Sequence, residues 1–173
     1  MRIVVCPLHE LDVATERHRP SHVLTMLAPD AEIQPLPAIP QDQRLALLFH
    51  DIIAPTPGLI APDEASIASI LGFSAAWDRR DPMVIHCWAG VSRSPAAAYI
   101  VACQHSPAGR EAELAQRLRN AAPHVTPNAL MVAIADALLQ RDGRMVSAIA
   151  AIGRGTDCFT GEIFVLPWRE GTS

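Results

Sequence analysis

The chain has 173 residues, a formal net charge of −4 and 50% hydrophobic residues. That length favours one domain able to bury a full core, and the composition excludes a disordered chain. The weak negative charge excludes a global field that would recruit nucleic acid or an anionic membrane, and no run of about 18 apolar residues could span a bilayer.

The opening, MRIVVCPLHELD, has an apolar run too short for a secretory signal, so a cytoplasmic protein is expected. RIVVC (2–6), β-branched and bounded by Pro7, reads as a buried strand, and SHVLTML (21–27) as a second. Residues 28–43 hold four prolines and read as a connector with a short strand around Ile33. RLALLFHDI (44–52) is a third strand, followed by turn chemistry in APTPG (54–58). Pro62, Asp63 and Glu64 open a helix over 62–80 whose broad apolar face holds Ile67, Ile70, Leu71 and Trp77. MVIHC (83–87) is a fourth strand.

Helices are expected over 93–105, 108–121, 126–141 and 144–153, with Thr126 as an N-cap, Pro127 at the first helical position and Gly153 as a stop. The tail, 154–173, carries a strand-like EIFVL and otherwise reads as loose, which gives a single domain with its core over about 1–153. Strands that are continuous apolar runs, alternating with helices, predict an α/β fold: a mostly parallel central sheet of four to five strands flanked by helices. Ligands of such sheets sit at the carboxyl ends of strands, and Cys87 falls at one.

Four cysteines (Cys6, Cys87, Cys103, Cys158) show no paired short spacing, so neither a zinc site nor a redox pair is indicated, and no metal is expected. The chemistry concentrates in HCWAGVSRSPAAAYI, 86–100. A strand delivers Cys87 to the sheet edge, and the loop Trp88, Ala89, Gly90, Val91 and Ser92 then curls into a helix beginning near Arg93. A tight loop before a helix N-terminus aims several backbone N–H groups inward, and Gly90 permits the angles this requires. Such a nest favours the thiolate of Cys87 and fits a tetrahedral dianion. Arg93 follows at a distance that lets its guanidinium clamp two phosphate oxygens. Ser94 is placed to hydrogen-bond the sulfur and to stabilise it as a leaving group. His86 reads as a support that holds the loop. A cation at a helix start opposes the helix dipole, which strengthens the case for a bound anion.

His86-Cys87-x5-Arg93-Ser94 resembles the HCx5R(S/T) signature of the cysteine-dependent protein tyrosine phosphatase superfamily, and the small-residue AGxSRS loop before an alanine-rich helix resembles its dual-specificity branch. The signature covers about nine residues; the likeness extends more weakly to the preceding strand, the upstream acidic loop and TPNALM. The resemblance implies a protein tyrosine phosphatase-like fold and hydrolysis of phosphomonoesters through a phosphocysteine, with no cofactor. The implied partners are phosphorylated proteins or small phosphomonoesters, with phosphate or sulfate able to occupy the loop. It also implies a general acid on an upstream loop. Asp51, at the end of the third strand, is preferred because strand ends converge, whereas Asp63 is explained as a helix-start carboxylate. Asn128 resembles a family position near the site, although a helix start explains it equally. Lipid-directed relatives carry lysines in the loop, and WAGVS has none. Two other readings stay open: a catalytically silent phosphate-binding module, and a sulfurtransferase, against which Ser94 and the acidic loop argue.

Overall fold

A computed structural model describes residues 2–167. Five strands form one sheet, β1 (Ile3–Pro7), β2 (His22–Leu27), β3 (Arg44–Leu48), β4 (Met83–Cys87) and β5 (Phe164–Leu166), in the order β3-β2-β4-β1-β5. The first four in that order run parallel, and β5 pairs antiparallel with β1. The helices are α1 (Leu11–His18), α2 (Glu64–Ala76), α3 (Arg93–Gln104), α4 (Glu111–Ala121), α5 (Ala129–Leu138) and α6 (Arg144–Ile152). The α/β class and the mostly parallel sheet are as expected. Among the described residues no helix is long and apolar enough to cross a membrane.

Every residue of β1, β2 and β4 is buried, because both sheet faces are covered. Ile3, Val5, Leu24, Met26, Met83, Ile85 and Cys87 face the larger core, shared with α2 to α6. Val4, Cys6, Val23 and Val84 face a smaller one, closed by Leu11 and Ala14 of α1 and by Leu36 and Ile39 of the connector. Alternation therefore puts Cys6 and Cys87 on opposite faces although β1 and β4 are neighbours. Helix α3 is buried from Arg93 to Cys103. Ala96, Ala97, Ala98 and Ala102 let it lie close against β1 and β4 while α2, α4 and α5 enclose it.

Several boundaries differ from expectation. Helix α1 carries no periodic apolar stripe, since only Leu11 and Ala14 are buried. It exists because parallel β1 and β2 need a crossover. The third strand stops at Leu48 rather than at residue 52. Phe49 still donates to Leu27, but His50 turns away to donate to the Ile60 carbonyl, 2.7 Å, and starts a loop. No strand forms around Ile33. The helix expected over 62–80 spans Glu64–Ala76; Asp63 is its N-cap, and Trp77 leaves it with an extended backbone to donate from Nε1 to the Asp81 carbonyl, 3.0 Å. The helix expected over 108–121 begins at Glu111. The one expected over 126–141 is Ala129–Leu138, capped by Asn128, because Thr126 is already engaged with Val91 and Gly155.

The segment after residue 153 is not loose where it is described. It packs along the backbone at His124 and Val125 so tightly that a Cβ on Gly155 would run into the His124 carbonyl. Arg119 secures it by donating to the carbonyls of Pro123, Val125 and Gly153. The core thus continues past 153 through β5; the tail's last six positions, 168–173, lie outside the described residues.

At the end of α3 away from the loop, buried Glu111 accepts from Arg141 Nη1 at 2.9 Å, while Arg141 Nη2 donates to the carbonyls of Cys103 and Ser106. Removing the guanidinium takes the nearest cation from a buried carboxylate, which keeps only Gly109 N and a longer contact to Arg144 Nε at 3.6 Å, and strips a donor from the Cys103 and Ser106 carbonyls. Arg141→Met is expected to cost about 3–5 kcal/mol, read as a lowered urea midpoint. A midpoint equal to wild type would show the pair to be dispensable.

Candidate functional site

The carboxyl ends of β2, β3 and β4 converge on a cavity of about 420 Å³ lined by Ala28, Asp30, Ala31, Asp51 and the loop residues Cys87, Trp88, Ala89, Val91, Ser92 and Arg93. The loop's carbonyls are turned away from this cavity by outside donors. Trp88 O accepts from Leu8 N at 3.0 Å, Ala89 O from Gly161 N at 2.8 Å, Val91 O from Thr126 N at 2.8 Å, and Ser92 O from Asn128 N at 3.3 Å and Ala96 N at 3.1 Å. Each peptide is trans, so its N–H points opposite to its C=O. The N–H groups of Ala89, Gly90, Ser92 and Arg93 therefore face the side away from those donors. That is a nest of donors at the start of α3.

Gly90 is fixed by two constraints. Its φ is +70°, and a Cβ there would lie 2.9 Å from Pro7 N. The loop thus rests against the end of β1 with no room for a side chain.

Cys87 is 2% exposed, with its sulfur 3.1 Å from Ser94 Oγ. Its side chain lies on the larger-core face at the final residue of β4, where the strand opens onto the cavity. Arg93 is buried rather than solvated, 6% exposed. Its Nη1 donates to the Phe49 carbonyl at 2.8 Å, and its Nε lies 3.8 Å from Asp51 Oδ2, too far for a hydrogen bond. Nε has no hydrogen-bond acceptor among the described residues.

Asp51 sits on the loop after β3, on the cavity wall. One oxygen, Oδ1, accepts from Ser92 Oγ at 2.7 Å and Asn128 Nδ2 at 2.8 Å. Asn128 also donates to the Ile52 carbonyl at 3.2 Å, while its Oδ1 caps α5 by accepting from Met131 N at 3.0 Å. One side chain so ties the acidic loop to a helix start. Asp63 is elsewhere. It caps α2, accepting from the amide and hydroxyl of Ser66 at 2.8 and 2.6 Å, which hold its carboxyl below the usual range, and it does not line the cavity.

His86 is buried on the opposite face from Cys87, hydrogen-bonded through Nε2 to Thr25 Oγ1 at 2.7 Å. Burial lowers its pKa to about 4, so the ring is neutral at pH 7 and serves as a fixed brace between β4 and β2. Burial pushes the thiols of Cys6 and Cys103 up to about 12. Among the described residues no three His, Cys, Asp or Glu side chains gather as a metal site.

The structure brings Cys87, the 88–92 loop, Arg93, Ser94 and Asp51 together and leaves Asp63 out. Sequence reasoning missed Asp30 and the two alanines beside it on the cavity wall, the Phe49 carbonyl on Arg93, and Thr25. The signal for Asp30 was present: it follows β2, and parallel strands deliver the residues after them to one edge. Nothing in the sequence marked Thr25 or Phe49, whose roles depend on strand order and on where β3 ends. No family model matches the chain, and no curated protein does.

Two outcomes follow. His86 stays neutral in the folded protein at pH values where it protonates when unfolded, so the unfolded state binds the extra proton. Stability should therefore fall as pH drops from about 6.5 to about 4, by up to about 3 kcal/mol from this residue, and His86→Gln should flatten the pH profile of the urea midpoint. Parallel profiles would refute the neutral brace. Separately, brief alkylation followed by peptide mapping should label Cys87 or the exposed Cys158 and spare Cys6 and Cys103. Labelling of Cys6 and Cys103 as fast as Cys158 would contradict the burial of those two thiols.

Proposed function

We propose that the protein is a phosphomonoester hydrolase of the cysteine-dependent protein tyrosine phosphatase superfamily, similar to its dual-specificity branch, with phosphotyrosine or mixed phosphoprotein substrates. The observation that carries this reading is the shared cavity: Cys87, buried Arg93 and Asp51 all line it, with Arg93 Nε 3.8 Å from Asp51 Oδ2. The protein tyrosine phosphatase-like fold belongs to the same proposal, supported by the parallel sheet and by the strand–loop–helix that holds the signature.

The Cys87 thiolate attacks phosphorus as the loop amides and Arg93 hold the three equatorial oxygens. The S–P bond forms, the P–O bond to the organic group breaks, and the Asp51 carboxyl gives its proton to the departing oxygen. Water then attacks the phosphocysteine while the Asp51 carboxylate takes a water proton. Phosphate leaves with the new P–O bond, and the S–P electrons return to sulfur, where the Ser94 hydroxyl can donate to the thiolate. Arg93 exchanges its long contact to Asp51 for the phosphoryl oxygens. This frees the acid from its cation as substrate enters.

A phosphate-binding module without turnover would use the same nest and the same Arg93, and one set of assays separates the readings. Cys87→Ser should abolish hydrolysis of an aryl phosphate yet still bind vanadate or phosphate. Asp51→Asn should lower kcat by roughly 10²–10⁴ for a poor leaving group and much less for an activated one. Phosphate binding by wild type with no turnover of either ester would establish the silent module. Thiosulfate-dependent consumption of cyanide would establish a sulfurtransferase instead.

A further inference from the structure

We propose that Asp30 is a specificity-determining residue, selecting phosphoesters whose organic part carries positive charge beside the phosphoryl group, in particular phosphotyrosine flanked by lysine or arginine. This rests on the reading of the Cys87–Arg93 cavity as a phosphoryl site.

Asp30 lies in the connector after β2, exposed, on the wall of the same cavity. It has no ion pair and no side-chain hydrogen bond among the described residues, so its charge is not consumed internally. Among the described residues that line the cavity Arg93 is the only cation, and it is buried, with an Nε that lacks a hydrogen-bond acceptor. Two carboxylates, Asp30 and Asp51, share the cavity with it. A phosphoryl group seated in the nest is served by the amides and by Arg93. Whatever is attached to it shares the cavity with Asp30 and with Trp88, which is 60% exposed. Asp51 is already held by Ser92 and Asn128, so Asp30 is the unengaged charge that an incoming organic group meets.

The consequence is one of sign. A second phosphate or a neighbouring glutamate on the substrate meets Asp30 with like charge, and no lining lysine offsets it. A flanking lysine or arginine meets an unpaired carboxylate. An aromatic ring has apolar surface available on Trp88, Ala28 and Ala31. A basic phosphotyrosine peptide satisfies all three conditions, whereas a polyphosphorylated inositol headgroup satisfies none.

The test uses the Cys87→Ser protein, which holds ligand without turning it over, and two phosphotyrosine peptides that differ only in lysine or glutamate on either side. At low salt the lysine peptide should bind more tightly. Asp30→Asn, added to the same protein, should narrow the ratio of the two dissociation constants by about threefold, the size expected of one solvent-exposed charge pair. Raising the salt to about 0.5 M should narrow it similarly, because exposed charges are then screened. The Asp30→Asn protein should also bind inorganic phosphate somewhat more tightly, which shows that the loop remains intact. An unchanged peptide ratio in Asp30→Asn, or tighter binding of the glutamate peptide, overturns the role of Asp30. If Cys87→Ser binds neither peptide and no inorganic phosphate, the phosphoryl-site reading itself falls.

Discussion

The site depends on the way the loop's carbonyls are held outward. A chain of five residues between strand and helix has no intrinsic reason to aim its amides at one point. Here four carbonyls are taken by amides from outside the loop: Leu8 after β1, Gly161 in the C-terminal segment, and Thr126 and Asn128 before α5. Those bonds satisfy the carbonyls and leave the N–H groups directed to the other side. Gly90, pressed against Pro7, lets the loop lie close enough for them to form. The nest is therefore held in shape by three separate segments of the chain outside the loop.

That core explains the alanine-rich helix. Arg93 must stand at a helix start, buried and pointed at one cavity, against the dipole's preference for an anion. Helix α3 meets this by being buried along almost its whole length, so it cannot rotate to release the guanidinium to water. The Phe49 carbonyl accepts from one end of the fork and Asp51 stands near Nε. A tetrahedral anion on the nest would complete what these partners leave undone. The C-terminal segment, which follows the last helix and looks peripheral in the sequence, contributes directly through Gly161 and through β5 beside β1.

Asp51 shows how a charged loop residue is held in place over a cavity. It follows a strand that ends early, so backbone pairing does not position it. Ser92 from the loop and Asn128 from a helix cap do so, and Arg93 adds attraction at longer range. Asn128 has two jobs: a helix needs a cap, and the acidic loop needs an anchor. One amide side chain meets both because its oxygen accepts from α5 while its nitrogen donates to the loop.

Local patterns carried much of this. Buried strands announced themselves as short β-branched runs, and the alternation with helices implied a parallel sheet. The spacing of Cys87, Gly90, Arg93 and Ser94 marked a strand–loop–helix able to receive an anion, since those traits depend on neighbours in the chain. Helix α1 was hidden because two buried residues make no stripe, and β3 was drawn too long because apolar character continues through Phe49 while hydrogen bonding does not. The preference for Asp51 over Asp63 was legible in the convergence of strand ends, but tertiary structure alone decided that Ser92 and Asn128 hold Asp51 at the cavity, that Asp30 joins it, that Thr25 braces His86, and that Cys6 faces away from Cys87. Each of these turns on strand order, on register or on where a chain leaves the sheet, and those are set by contacts between residues far apart in sequence.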